Sequence, residues 1–434
     1  MKYDTDGEHV FRQEKYFMWF FGIEVPGFSG ILDIDSGKTI LFMPRLPESY
    51  NIWMGKLETP ESLVSKYMVD VVMYEDELLS YLKDANFNCL HFLAGLNSDS
   101  GAVFQTPSIP DLPEEQWTSA EMALPCVREL RVIKTFAEIE VMRLAAQGSA
   151  AALKDVMKIT KPTMREYQLE ATFCYHIYFH HGMRHTAYTP IAGCGCHSAV
   201  LHYGHAGAPN DGLIRDGDMI LLDFGGEYAG YCSDITISFP ATGKFNAKQK
   251  AIYEAVLDAN RSVMQAMKPG VDWTEMHLLA EERILMGLQA LGLVVPTVDI
   301  KEALDAGLGA VFMPHGLGHL LGLDTHDVGG YSQGQPPRLE RPGLKALRTR
   351  RTLLEGMVIT VEPGCYFIDT LLDKALEDPE LAPMLNADRV NEFRGFGGVR
   401  IEDDVLVTAD GMDLLSSGLP RTVEEIEAWM AEGK

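Results

Sequence analysis

The run Asp218–Pro240, DMILLDFGGEYAGYCSDITISFP, constrains the fold more than any other stretch of the chain. Met219 to Phe224 is apolar and of strand length, and Gly225 and Gly226 interrupt it. Cys232 to Phe239 then alternates, with Ile235, Ile237 and Phe239 on one face and Asp234, Thr236 and Ser238 on the other. The pattern predicts a hairpin with one aspartate on each arm, Asp223 and Asp234. A carboxylate in a strand buried on both sides is costly unless it is protonated, hydrogen-bonded or bound to a cation. Two facing carboxylates also repel, and a metal ion between them resolves both problems. The pair alone also fits, and more readily, an Asp223 that caps the Gly-Gly turn and an Asp234 left in water.

Three further segments, each a strand or turn, carry one strong ligand apiece. In Met313-Pro-His315-Gly-Leu-Gly-His319, the glycines Gly316 and Gly318 disfavour a helix and let backbone approach something bound. Met357 to Gly364 reads as a buried strand ending on Glu362 and stopped by Pro363-Gly364. Gly398 to Val407 places Arg400, Glu402 and Asp404 on one strand face. Asp223, Asp234, Glu362 and Glu402 bring four carboxylates, and His319 adds a neutral nitrogen. Two divalent ions match that charge, whereas one leaves the pocket strongly anionic. Oxygen-rich ligation with one nitrogen favours Mn²⁺, with Co²⁺, Fe²⁺ or Zn²⁺ as the other candidates.

At 434 residues the chain has room for two or three domains. Tyr16–Ile23, Gly30–Ile34 and Thr39–Met43 read as strand and hairpin material, with a turn at Asp35-Ser36-Gly37. A helical piece, Glu75–Lys83, and a strand-like one, Asn88–Leu93, follow. Gln105 to Glu115 is loop-like, with Pro107, Pro110 and Pro113 close together. The border is expected near Pro125, giving a small α/β N-terminal domain, 1–124, and a second domain, 125–434. Capping boxes at Thr135-Phe-Ala-Glu138 and Thr163-Met-Arg-Glu166 predict helices to about Ile159 and His181, the second closed by Gly182. Further helices are predicted over Asn246–Met267 and from Asp272 to Leu291. The order implies an α+β fold with helices backing a curved sheet.

The formal charge of −25 argues against broad attraction to nucleic acid or an anionic membrane. The first residues, MKYDTDGEHVFRQEK, lack the cationic lead and apolar core of a secretory signal, and Tyr16–Ile23 is too short to span a bilayer. Seven scattered cysteines make no disulfide framework, which predicts a reducing, cytoplasmic setting.

With these motifs in place, the chain resembles the prolidase branch of the pita-bread metallopeptidase family, which also includes aminopeptidase P and methionine aminopeptidase. The matching text is VLHYGHAGAPND (200–211), LDFGGEYAGYCSDIT, FMPHGLGHLLGLDTHDVGGY (312–331), GLKALRTRR (343–351), VITVEPGCYF and RGFGGVRIEDDVLVT. The resemblance covers almost the whole chain. It implies a pita-bread catalytic domain after a creatinase-like N-terminal domain with dimer contacts, acting on dipeptides with a C-terminal proline. Asp223 would chelate one ion, Asp234 and Glu402 bridge both, and His319 and Glu362 complete the shell of the other ion. A water shared by both ions becomes the nucleophile, and Glu362 accepts and returns its proton. By the same resemblance His202 and His326 contact substrate and stabilise the oxyanion, and His315 stands behind the ligands. Arg348 holds the substrate carboxylate, and Tyr188 and Arg400 line the site. Trp53 reaches the active site of a second subunit, which implies a homodimer.

Read without that resemblance, His202 and His326 are ordinary packed histidines, Arg348 belongs to a solvated basic run ending at Arg351, and Trp53 is core. His176, His180, His181 and His185 read as helix surface and helix end, and Cys194 and Cys196 as two buried thiols. Two departures from the family pattern are expected to matter. Gly193-Cys194-Gly195-Cys196-His197 stands where relatives read Gly-Ser-Gly, a variable residue and Asn, which should alter loop geometry and substrate affinity. Relatives also carry more residues ahead of VFRQE, which should affect stability or the dimer contact. Rival readings are an Xaa-Pro aminopeptidase, a relative tuned to organophosphate esters, and a non-catalytic pita-bread module that binds peptides or proteins.

Overall fold

Met219–Phe224 and Ile235–Pro240 pair antiparallel, in a register that sets Asp223 opposite Thr236 and Ile220 opposite Phe239. Ile191–Cys194 pairs along the other edge of Met219–Phe224. Both arms of the hairpin are buried at every position, so each face has a cover. Ile235, Ile237 and Phe239 enter the main core with Phe173, Phe224 and Trp273. Burying side chains of this size stabilises by roughly 1.5–3 kcal/mol each. The polar face meets the chain around Arg400: the Ser238 hydroxyl donates to the Arg400 carbonyl, and the Glu402 N–H donates to the Thr236 carbonyl.

The computed structural model describes residues 4–5, 7–85, 87, 89–97, 100–104, 117–118 and 123–432. It divides into two units, Met1–Leu124 and Pro125–Lys434. In the second unit, Val358–Val361 pairs with Asp403–Val407, and Gly364–Tyr366 with Gly398–Arg400. The predicted continuous strand through Arg400, Glu402 and Asp404 is therefore broken at Ile401 and Glu402, where the chain passes from one sheet to the next. Four long helices, Phe136–Ile159, Glu166–His181, Ala247–Ala266 and Trp273–Ala290, pack buried side chains into the same core.

Helix ends follow local chemistry in most places. The Thr135 hydroxyl accepts from the Glu138 N–H while the Glu138 carboxylate accepts from the Thr135 N–H. Gly182 closes its helix at φ +68°, the left-handed region open to glycine. The box predicted at Thr163–Glu166 does not form. Arg165 is the N-cap, and Glu166 turns inward to accept from the N–H groups of Cys194 and Gly212 and the hydroxyl of Tyr203.

In the first unit, Ser29–Asp33 and Lys38–Met43 form the expected hairpin, and Val71–Tyr74 joins in parallel. Tyr16–Ile23 is not a strand: Lys15–Phe21 is a helix, capped by the Glu14 carboxylate on the N–H groups of Tyr16 and Phe17 and closed by left-handed Gly22. The loop expected over Gln105–Glu115 lies outside the described residues. No described helix is long and apolar enough to cross a membrane.

Candidate metal centre

Asp223, Asp234, His319 and Glu402 are buried, and Glu362 is partly so. Ligand atoms of Asp234, His319 and Glu402 all lie within 4.8 Å of one another. His319 Nε2 stands 3.3 Å from Asp234 Oδ2 and 3.6 Å from Glu362 Oε1. Asp223 joins through Tyr188, whose hydroxyl lies 2.5 Å from Asp223 Oδ1 and 2.6 Å from Asp234 Oδ1. Four chain segments thus bring all five side chains to one place.

The donor set calls for cations. His319 Nδ1 is 3.0 Å from the Leu320 carbonyl, which can only accept, so the ring hydrogen sits on Nδ1. Its Nε2 lone pair therefore faces two carboxylate oxygens, an arrangement favourable only with a positive charge between them. Tyr188 has a single proton to share between two carboxylates. Burial raises the proton affinity of Asp234 and Glu402 well above the carboxylate range, and the neighbouring carboxylates add to it. Glu362 is raised by burial, with Asp234 and Asp223 reinforcing and His319 and Arg400 opposing. Divalent ions on these oxygens would remove both penalties.

Second contacts hold the ligands in place. Arg400 donates to Asp223 Oδ2 at 2.6 Å, to the Tyr366 hydroxyl at 2.7 Å and to Thr236 Oγ1 at 3.1 Å. The Thr236 hydroxyl donates to Glu402 at 2.6 Å. Asp404 accepts the Asp234 N–H on both carboxylate oxygens. His315 Nδ1 donates to the Gly316 carbonyl, so its Nε2 accepts from the Tyr366 hydroxyl at 3.0 Å. Burial lowers the proton affinity of His315 to about 3, keeping it neutral. Tyr366, Thr236 and Thr360, whose hydroxyl accepts the His319 N–H at 3.1 Å, were not among the expected site residues; the one sequence signal for Tyr366 is its place on the strand after Glu362.

The other candidates fall around this cluster. The His326 ring centroid is 4.5 Å from that of His319, edge to face. His326 is partly open to solvent, and the burial it does have lowers its proton affinity. Arg348 is half-buried, and its charge adds to the same effect on His319 and His326. His202 is exposed, close enough to act electrostatically on His315 and His326. Trp53 belongs to the first unit, where it is 80 % exposed rather than core. Cys196 is exposed and only Cys194 is buried, so the expected pair of buried thiols is corrected to one. His185 lies in a short strand, not at a helix end, while His176 pairs with Asp155 on the helix surface. The departing loop is tied down by His197, whose Nδ1 is 2.9 Å from Glu166 Oε1 and whose ring stacks on Tyr203.

Gly318 is a direct check on the loop. A Cβ there would collide with the Thr360 carbonyl oxygen. Gly318→Ala is expected to displace His319, lowering divalent-metal affinity about tenfold or more and stability by about 1–3 kcal/mol; metal titration with thermal melting reads both.

A model described as metallopeptidase family M24 matches residues 140–409. The chain belongs to metallopeptidase family M24. A second model, the aminopeptidase P N-terminal domain, matches the M24 chain over residues 1–90. The Xaa-Pro dipeptidase of Homo sapiens is 53% identical to this M24 chain over 430 residues, covering 99% of it and 86% of the human protein. A probable Xaa-Pro aminopeptidase of Sclerotinia sclerotiorum is 36% identical over 425 residues, covering 98% and 74%. Zn-substituted E. coli aminopeptidase P in complex with product matches the fold with a TM-score of 0.79 at 29% identity, covering 99% of this chain and 92% of that one. The catalytic unit thus has the expected pita-bread fold, and family membership implies divalent metal.

Proposed function

We infer that this M24 protein is an Xaa-Pro dipeptidase, hydrolysing dipeptides whose second residue is proline. The carrying observation is 53% identity to the human Xaa-Pro dipeptidase over 99% of the chain. The convergence of Asp223, Asp234, His319, Glu362 and Glu402 supports the same reading as a metal site. Two ions are proposed from the charge balance, with Mn²⁺ favoured by the oxygen-rich donors. Bound there, divalent ions supply Lewis acidity and a water of lowered pKa.

The chain's own residues do the rest. Glu362, a carboxylate 3.6 Å from His319 Nε2, is assigned to take a proton from water and return it to the proline nitrogen. That nitrogen has no N–H to grip, so recognition must come from elsewhere on the substrate. His326 and His202 are assigned to the developing oxyanion. Arg348 is assigned to the free carboxylate of the dipeptide. Tyr188 and Arg400 keep Asp223 and Asp234 oriented.

A homodimer is proposed from exposed Ile52, Trp53 and Met54 on the short helix Tyr50–Met54, an apolar patch that a second chain would cover. Cytoplasmic residence is proposed from seven cysteines held as thiols, three of them buried.

The deciding experiment compares Gly-Pro with an Xaa-Pro-Xaa tripeptide on one preparation of known metal content. Faster Gly-Pro turnover with close to two ions per chain is expected. Faster tripeptide turnover would favour the aminopeptidase reading, which the Sclerotinia relative supports. Well under one ion per chain after Mn²⁺ loading would favour a binding module instead. Arg348→Ala is expected to raise the Gly-Pro KM by about 10- to 100-fold, the worth of a charged hydrogen bond, and to narrow the gap to the tripeptide. An unchanged KM would remove Arg348 from this role.

A further inference from the structure

We propose that His277, flanked by Trp273 and Glu281, is a positioning residue for the segment that carries His315 and His319. The three residues stand one turn apart on the Trp273–Ala290 helix and are all buried. The Trp273 indole N–H donates to the Gly318 carbonyl at 3.3 Å, and His277 Nδ1 accepts the Leu317 N–H at 3.2 Å. On the opposite side the Glu362 N–H donates to the Leu317 carbonyl, and Thr360 binds both the N–H and the carbonyl of His319. The peptides between the two histidines are therefore clamped from helix and strand together.

The clamp fixes the chemistry of His277. A backbone N–H only donates, so Nδ1 is the acceptor and the ring hydrogen is on Nε2. Nε2 faces Glu281 Oε1 at 3.3 Å, and neither atom has a hydrogen-bond partner of normal geometry. Glu281 has no room to turn away: a Cβ on Gly309 or Gly343 would collide with its carboxyl group. A polar pair sealed into a face otherwise made of Met276, Ala280, Ile284 and Leu288 is costly for the core alone. Holding Glu281 beside Nε2 keeps the hydrogen there and leaves Nδ1 free to accept from Leu317. Outer partners of this kind orient metal ligands in general.

The proposal rests on His319 being a metal ligand, and its test separates the two. His277→Phe keeps a ring but removes the acceptor, whereas His277→Asn keeps a carbonyl oxygen near the Nδ1 position. In the metal-free protein, hydrogen exchange of the Leu317 amide should speed up at least tenfold in His277→Phe and stay near wild type in His277→Asn. Co²⁺ affinity should fall about 10- to 100-fold in His277→Phe, with kcat for Gly-Pro lowered and KM nearly unchanged, and recover in His277→Asn. Should His277→Phe fail to fold, Trp273→Phe tests the same clamp with the aromatic volume kept. A folded His277→Phe protein with wild-type Leu317 exchange and Co²⁺ affinity overturns the proposal, as does a folded Trp273→Phe protein with wild-type Co²⁺ affinity. Co²⁺ loss in His277→Asn as deep as in His277→Phe does so too. Wild-type protein that takes up no Co²⁺ would instead sink the metal reading itself.

Discussion

Asp234→Asn should lower kcat/KM for Gly-Pro by at least about a thousandfold, because Lewis-acid stabilisation is worth several kcal/mol and each ~1.4 kcal/mol is a factor of ten. Asp234 stands at the centre of the cluster, with Tyr188 on one oxygen and His319 Nε2 on the other. Asn keeps the volume but loses the charge. The same change should leave the metal-free protein as stable as wild type or more stable. Burial and neighbouring Asp223 already penalise the charged Asp234, and removing that charge relieves both. Loss of activity with a raised or unchanged melting temperature after chelation is the signature of a side chain kept for chemistry at some expense of stability. Activity within tenfold of wild type at saturating Mn²⁺ would refute its role as a ligand.

That signature bears on what the sequence could and could not reveal. The hairpin carrying Asp223 and Asp234 was legible because its apolar period and its glycine break are local. The Phe136–Ile159 helix was legible because Thr135 and Glu138 satisfy each other within one turn. Thr163 and Glu166 have the same spacing, yet Glu166 is claimed by Cys194, Gly212 and Tyr203, donors 28 to 46 residues away. No local rule weighs such competition. Lys15–Phe21 has the aromatic content of a strand, but Glu14 and Gly22 supply a cap at each end, and these decided it. The site was legible as a list of ligands and not as a network. Thr236 reaches Glu402, and Tyr366 joins His315 to Arg400, only through pairings between distant strands. Clusters of carboxylates stand out in a sequence because they are expensive. Their hydroxyl partners are common residues and do not.

Asp327→Asn should cost about 3–5 kcal/mol, the usual effect of stripping one member from a buried ion cluster. Asp327 is buried and accepts from Arg131 at 2.8 Å and from Lys134 at 2.9 Å, both of them buried. Without its charge Lys134 loses its counter-ion inside the protein, and Arg131 is left with Asp324, 2.8 Å away and 42% exposed. Burial pushes the Asp327 carboxyl up, but Lys134 and Arg131 outweigh it and hold the group below its ordinary value. A carboxyl with a folded-state pKa below the unfolded one contributes stability above the unfolded value, and loses it as pH falls through the folded one. The gap between wild type and Asp327→Asn should therefore be full at pH 7 and shrink only in acid, below about pH 4. Thermal melting across that range reads it, with a fall of roughly 5 °C or more expected at neutral pH. The loss should reach the active site as well. The Asp327 N–H donates to the carbonyl of Leu320, next to His319, and His326 precedes Asp327 in the chain. Lys134→Met combined with Asp327→Asn removes the cation left without its counter-ion and should recover part of the stability. A double variant no more stable than Asp327→Asn alone would mean that Lys134 is not the charge Asp327 neutralises.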